Sequence, residues 1–123
     1  MEQFKLGEME QRLADLIWGH EPLSSGELVK LCEGAFDWKR TTTYTMLKRL
    51  CERNIFANEN GTVVALMSKE EFQAARGEQF INDNFEGSLP QFLAAFSRRK
   101  KLGEKEILEL KRLIDEYEEG DND

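Results

Sequence analysis

The sequence predicts a mainly α-helical chain with one small β-hairpin, and three observations predict it. Apolar residues recur at three- and four-residue spacing through most of the 123 positions. Ser-x-x-Glu starts open helical runs at Ser24 and Ser68, and Ser88 caps a third. A single Asn60-Gly61 pair lies between two short β-prone runs.

The first helix is LGEMEQRLADLIW, with Leu6, Met9, Leu13, Leu16 and Ile17 on one face and Gly19, His20, Glu21 and Pro22 ending it. The second is SSGELVKLCEG. Ser24 and Glu27 form a capping box, and Gly34 is the expected stop. The third runs to about Arg53, with Thr43, Leu47, Leu50 and Cys51 inside, and Asn54 suits a left-handed cap. Ile55–Ala57 and Thr62–Leu66 then form a hairpin. Helix, helix, basic helix and hairpin give a winged helix-turn-helix domain over residues 1–67. Residues 68–123 carry three further helices: one from Ser68 to Phe85 that Gly87 breaks, one capped by Ser88 with Pro90 in its first turn, and one from Leu102. The stripes Leu89, Phe92, Leu93 and Phe96, then Ile107, Leu110, Leu113, Ile114 and Tyr117, are too short to be buried alone. Packing on a second copy would cover them, so these are C-terminal dimerisation helices.

Charge divides the chain by task. The formal net charge is -7, which argues against indiscriminate nucleic-acid binding. Yet residues 38–53 hold five cations against one acid, and residues 104–123 hold nine acids against three cations. A recognition helix presents a slim polar half to base edges. Thr41, Thr42, Tyr44, Thr45 and Lys48 form that side, with Lys39 and Arg40 at the helix start and Arg49 and Arg53 further along. Threonine hydroxyls suit phosphates or base edges, and the cations offset phosphate charge. Tyr44 either reads the groove or covers helix surface. The alternative for the whole segment is a solvated amphipathic helix.

Other classes find little support. No stretch of about eighteen apolar residues spans a membrane, no signal peptide opens the chain, and a cytoplasmic protein is expected. No phosphate loop, zinc-protease motif or nucleophile elbow occurs, so no catalysis, metal or cofactor is expected. Cys32 and Cys51 read as small buried thiols, lone His20 as a loop residue, and Trp18 and Trp38 as core anchors. The basic run Arg98–Lys101 reads as a solvated linker, with a second DNA contact or an accessible hinge as rivals.

Several segments together resemble the penicillinase-repressor family (BlaI/MecI type) of winged-helix regulators. They are LGEMEQRLADLIW, PLSSGELV, WKRTTTYTMLKRLCERN, SKEEF and LPQFLAAF. In the third, Trp38, Thr42, Thr45, Leu47, Arg49 and Leu50 are in register with the family pattern. The resemblance implies a homodimeric repressor on an inverted-repeat DNA operator, controlling β-lactam-resistance-type genes. It also implies relief by a membrane-bound sensor protease pathway that cuts before a Phe. The matching bond is Ala95–Phe96, with Ala95 where the family commonly has Asn. The wing NENGTVVAL departs from the family's longer, basic and aromatic wing, since it carries Glu59 and no cation. The copper-responsive relatives' CxC motif has no counterpart after Cys51. A second reading, motivated by that wing, is a winged-helix module that binds protein and has lost DNA.

Overall fold

The computed structural model describes residues 4–121, so residues 1–3 and 122–123 at the ends of the two sequence-defined regions lie outside it. The order is α1 (Glu8–His20), β1 (Leu23–Ser24), α2 (Ser25–Phe36), α3 (Arg40–Glu52), β2 (Phe56–Glu59), β3 (Thr62–Ala65), α4 (Lys69–Asn84), α5 (Leu89–Arg99) and α6 (Glu104–Asp121). The fold is a winged helix followed by C-terminal helices, as the sequence predicts. Among the described residues, no helix is long and apolar enough to cross a membrane.

Local chemistry places the helix ends. Ser24 Oγ accepts the Glu27 N–H at 3.0 Å while Glu27 Oε1 accepts the Ser24 N–H at 3.1 Å. Ser68 and Glu71 repeat the box with both bonds at 3.0 Å. Ser88 Oγ accepts the Gln91 N–H at 3.1 Å, with Pro90 in the first turn of α5. Asn54 takes the left-handed conformation at φ 61°, as expected. Two boundaries differ from expectation. α2 continues past Gly34 to Phe36, whose ring lies 4.8 Å from Trp38, and Asp37 makes the left-handed cap instead. His20 belongs to the last turn of α1 rather than a loop, its Nδ1 2.8 Å from the Leu16 carbonyl oxygen.

The capping boxes carry a pH signature. The Ser24 N–H, then its hydroxyl, hold the Glu27 carboxyl below the usual glutamate range, and Ser68 does the same for Glu71. A carboxyl lowered in the folded state adds stability above its unfolded value, and that stability is lost as pH falls through the folded value. Glu27→Gln, which removes the titrating carboxylate, is therefore expected to destabilise the fold at neutral pH. Its deficit against the parent should shrink below about pH 4, where the parent loses the same contribution. Denaturant melts across pH check this; a deficit constant down to about pH 3 contradicts it.

The sheet is antiparallel in the order β1-β3-β2. Asn60 at φ 54° and Gly61 at φ 89° form a two-residue turn, the primed geometry that matches strand twist. Glu59 stands opposite Thr62, and the Leu66 N–H donates to Ile55 at 2.9 Å beyond the strand ends. β1 is an element the sequence did not suggest. Leu23 pairs with Val63, and the Ser25 N–H donates to the Gly61 carbonyl at 2.8 Å, tying the start of α2 to the wing.

One core lies beneath these elements. Leu13, Ala14 and Ile17 of α1 meet Leu28 and Cys32 of α2, Leu47 and Leu50 of α3, and Ile55, Phe56 and Val63 of the hairpin. Trp18 packs on this core 5.1 Å from Phe56 and 5.4 Å from Phe72, and its indole N–H donates to the Met67 carbonyl at 3.0 Å. Trp38 also packs against it, as the sequence predicts. Cys32 is buried; Cys51 is only half-buried, against the expectation of two buried thiols. Burial pushes both thiols up.

The chain forms two compact units that divide between Phe80 and Ile81. The sequence division at 67/68 marks the end of the hairpin. The packing division falls later because Phe72, buried in the first unit's core, brings the start of α4 with it. In the second unit, Phe85, Phe92 and Phe96 stack in series at 5.4 and 5.9 Å. Among the described residues of α5 and α6 none is buried, and Leu89, Phe96, Ile107, Leu113, Ile114 and Tyr117 are exposed. Phe92, Leu93 and Leu110 are half-buried.

Candidate nucleic-acid interface

The inner face of α3 is Thr43, Leu47 and Leu50, all buried. Thr43 fits because its hydroxyl donates to the Lys39 carbonyl at 3.4 Å, which satisfies a polar group inside a core. Fixing that face fixes the other. Thr41, Thr45 and Arg49 follow one another at four-residue spacing, with Thr42 and Lys48 beside them, and all five are exposed. Thr41, Thr42, Thr45, Met46 and Arg49 line one shallow depression. The Arg49 guanidinium rests 3.7 Å from the Met46 sulfur. Glu52, one turn beyond Lys48, ends this stripe with a negative charge.

The start of α3 is electropositive. Lys39 and Arg40 are exposed, no acid occupies the first turn, and no side chain caps it. Free N–H groups and the helix dipole favour an anion at such an end. The Arg40 guanidinium lies over the Tyr44 ring at 5.6 Å. Tyr44 is half-buried, and its hydroxyl donates to Ser25 Oγ at 3.1 Å. The Ser25 hydroxyl, donating in turn to the ionised phenol oxygen, and then the Arg40 charge favour the phenolate and lower the phenol's pKa. Of the two roles open for Tyr44 in the sequence, its hydroxyl is engaged in linking α3 to the first residue of α2. On its other side Tyr44 joins Leu47, Lys48, Cys51 and Asn58 around a second depression, between α3 and β2.

Arg53 stands apart from the other cations. Its Nε lies 3.5 Å from Glu10 Oε2, and its guanidinium donates to the Lys5 carbonyl at 2.7 Å. Glu10 Oε1 in turn accepts the Gly7 N–H at 3.1 Å, half of a capping box at the start of α1. Arg53 therefore braces the N-terminal segment against the end of α3. Sequence reasoning placed it by charge alone, because a partner 48 positions away has no local signature. Ser25 was missed for the same reason, and Met46 because it reads as an apolar helix residue.

The wing turn is sharp and carries no cation. Asn58 Oδ1 accepts the Gly61 N–H at 3.0 Å, and Glu59 and Asn60 are exposed beside it.

Comparison with known proteins identifies the family. The sequence profile described as Penicillinase repressor matches residues 6–116. The chain is 22% identical over 117 residues to the "Penicillinase repressor" of Bacillus licheniformis, covering 92% of this chain and 91% of that protein. It is 18% identical over 115 residues to the "Methicillin resistance regulatory protein MecI" of Staphylococcus epidermidis, covering 90% and 94%. A match over most of the chain, on a winged helix with an exposed Thr-Thr-Arg stripe, places the chain in the penicillinase repressor family of transcription regulators.

Proposed function

We infer that the chain is a homodimeric transcriptional repressor that binds a dyad-symmetric DNA operator through α3. The observation that carries this is the exposed stripe Thr41, Thr42, Thr45, Lys48 and Arg49, held outward by the buried Thr43, Leu47 and Leu50. Threonines keep the helix slim enough for a major groove, and their methyls and hydroxyls suit base edges. Arg49 is the bidentate reader at the C-terminal end of the stripe. Lys39, Arg40 and Lys48 meet phosphates on either side, and Tyr44 sets the angle between α2 and α3. Arg53 supports the fold of the reading head rather than the groove.

The exposed apolar residues of α5 and α6 supply the dimer contact, which doubles the number of DNA contacts and matches a two-fold operator. The names of the two relatives support control of β-lactam-resistance-type genes. Relief by a sensor protease pathway would act on Ala95–Phe96, inside α5, where cutting divides the dimer contact.

Selection of genomic DNA fragments at about 50 mM salt, repeated at about 200 mM, tests the reading over a range in which phosphate-driven affinity falls steeply. One dyad-symmetric site, its half-sites a helical turn or a multiple apart, is the expected outcome. No enrichment at either salt would discard it in favour of a protein-binding module, the reading that the short wing with Glu59 favours.

A further inference from the structure

The second unit carries two opposite charge clusters that do not neutralise each other within one chain. Arg98 and Arg99 end α5, and Lys100 and Lys101 follow in the corner before α6; all four are exposed. Among the described residues, no carboxylate forms an ion pair with any of them. At the far end of α6, Asp115, Glu118 and Glu119 are exposed, while Glu116 is engaged by Arg112 at 3.5 Å.

A helix rises about 1.5 Å per residue, so Glu118 lies about 21 Å along α6 from Glu104, where the basic corner ends. That is roughly twice the screening length of about 10 Å at 0.1 M salt. The corner and the tail of one chain are thus electrostatically separate. Between them runs the exposed apolar stripe Ile107, Leu113, Ile114 and Tyr117.

We propose that the basic corner Arg98–Lys101 of one copy docks on the acidic end of α6, Asp115 to Glu119, of a second copy, with the two α6 helices antiparallel. The proposal rests on the homodimer inferred above and adds its direction and pairing. An antiparallel arrangement lays stripe on stripe and brings each acidic end beside the other chain's basic corner. Two-fold symmetry makes the contact twice. A parallel arrangement would set corner against corner and tail against tail, placing like charges together at both ends. The stripe supplies the attraction and the charges select the orientation. The basic run is therefore neither an idle linker nor a second DNA contact.

Two charge-reversed variants test the pairing: R98E/R99E/K100E/K101E, and D115K/E118K/E119K. In the homodimer of either one, both contacts become repulsive. In the mixed dimer, both contacts join opposite charges again. Sedimentation with one variant fluorescently labelled should show each alone dimerising at least about tenfold more weakly than the parent at about 0.1 M salt. The mixture should return to the parent's affinity, a recovery that misfolded chains would not give. The gap should close towards about 1 M salt, where screening shortens to about 3 Å. Variants that dimerise like the parent, or a mixture no tighter than its components, would overturn the pairing and leave the homodimer standing. A monomeric parent would overturn both.

Discussion

Replacing Lys48 and Arg49 together with alanine is expected to abolish tight operator binding without unfolding the chain. Both side chains are exposed on α3, and neither forms an ion pair among the described residues. Loss of a bidentate Arg–guanine pair costs about 1–3 kcal/mol, and a dimer loses two. Losing the two cations from each protomer removes four charges from the duplex contact. At about 0.9 per phosphate, the log–log salt slope should flatten by up to about 3.6. Affinity at low salt should fall at least about a hundredfold. On the proposed reading the wing has no cation to compensate, so these residues would carry a larger share of the electrostatics than a basic wing would leave them. Fluorescence anisotropy on the selected operator, titrated with salt, measures both quantities. A double variant with the parent's slope would remove α3 from the interface.

Phe72→Ala is expected to cost about 3–5 kcal/mol, against a total of about 5–15 kcal/mol for an ordinary domain. Phe72 is the one buried residue of α4. Its ring meets Phe4 edge-on at 5.9 Å and Trp18 at 5.4 Å, and the Arg76 guanidinium lies over it at 5.7 Å. Around it, Lys69 pairs with Asp15 at 3.2 Å and Arg76 donates to Gln11 at 3.0 Å. These polar contacts are exposed and contribute little by themselves. The docking of α4 on α1 therefore hangs on one ring. The melting temperature should drop by at least about 12 °C, and Phe72→Leu should restore part of it. A shift of only a degree or two would mean that α4 docks by other means.

What could be read from the sequence was whatever is decided by neighbours in the chain. The Ser24 and Ser68 boxes, the Ser88 cap, the left-handed Asn54 and the Asn60-Gly61 turn each depend on residues within a few positions. Each formed where expected. The buried face of α3 followed from spacing, and its exposed stripe is the complement of that face. What escaped were pairings across the fold. β1 is two residues long and exists only because Val63 and Thr62 lie opposite it. α2 outran Gly34 because Phe36 found Trp38 and the Arg12 guanidinium, 5.2 Å above its ring. Arg53 resembled its basic neighbours in sequence, and only the approach of Glu10 and Lys5 separated it from them.

The strand order leaves β2 on the outside of the sheet, where an open row of peptide groups invites another strand to add. Several features discourage such growth. β2 has only four residues, and Glu59 ends it with a charge. Cys51 of α3 lines a depression together with Asn58 of this strand. A carboxylate that is a poor choice beside phosphates is a sound choice on an open sheet margin. Glu59 thus guards an open sheet margin against fibrous self-association, in a chain whose second unit leaves several large apolar side chains exposed.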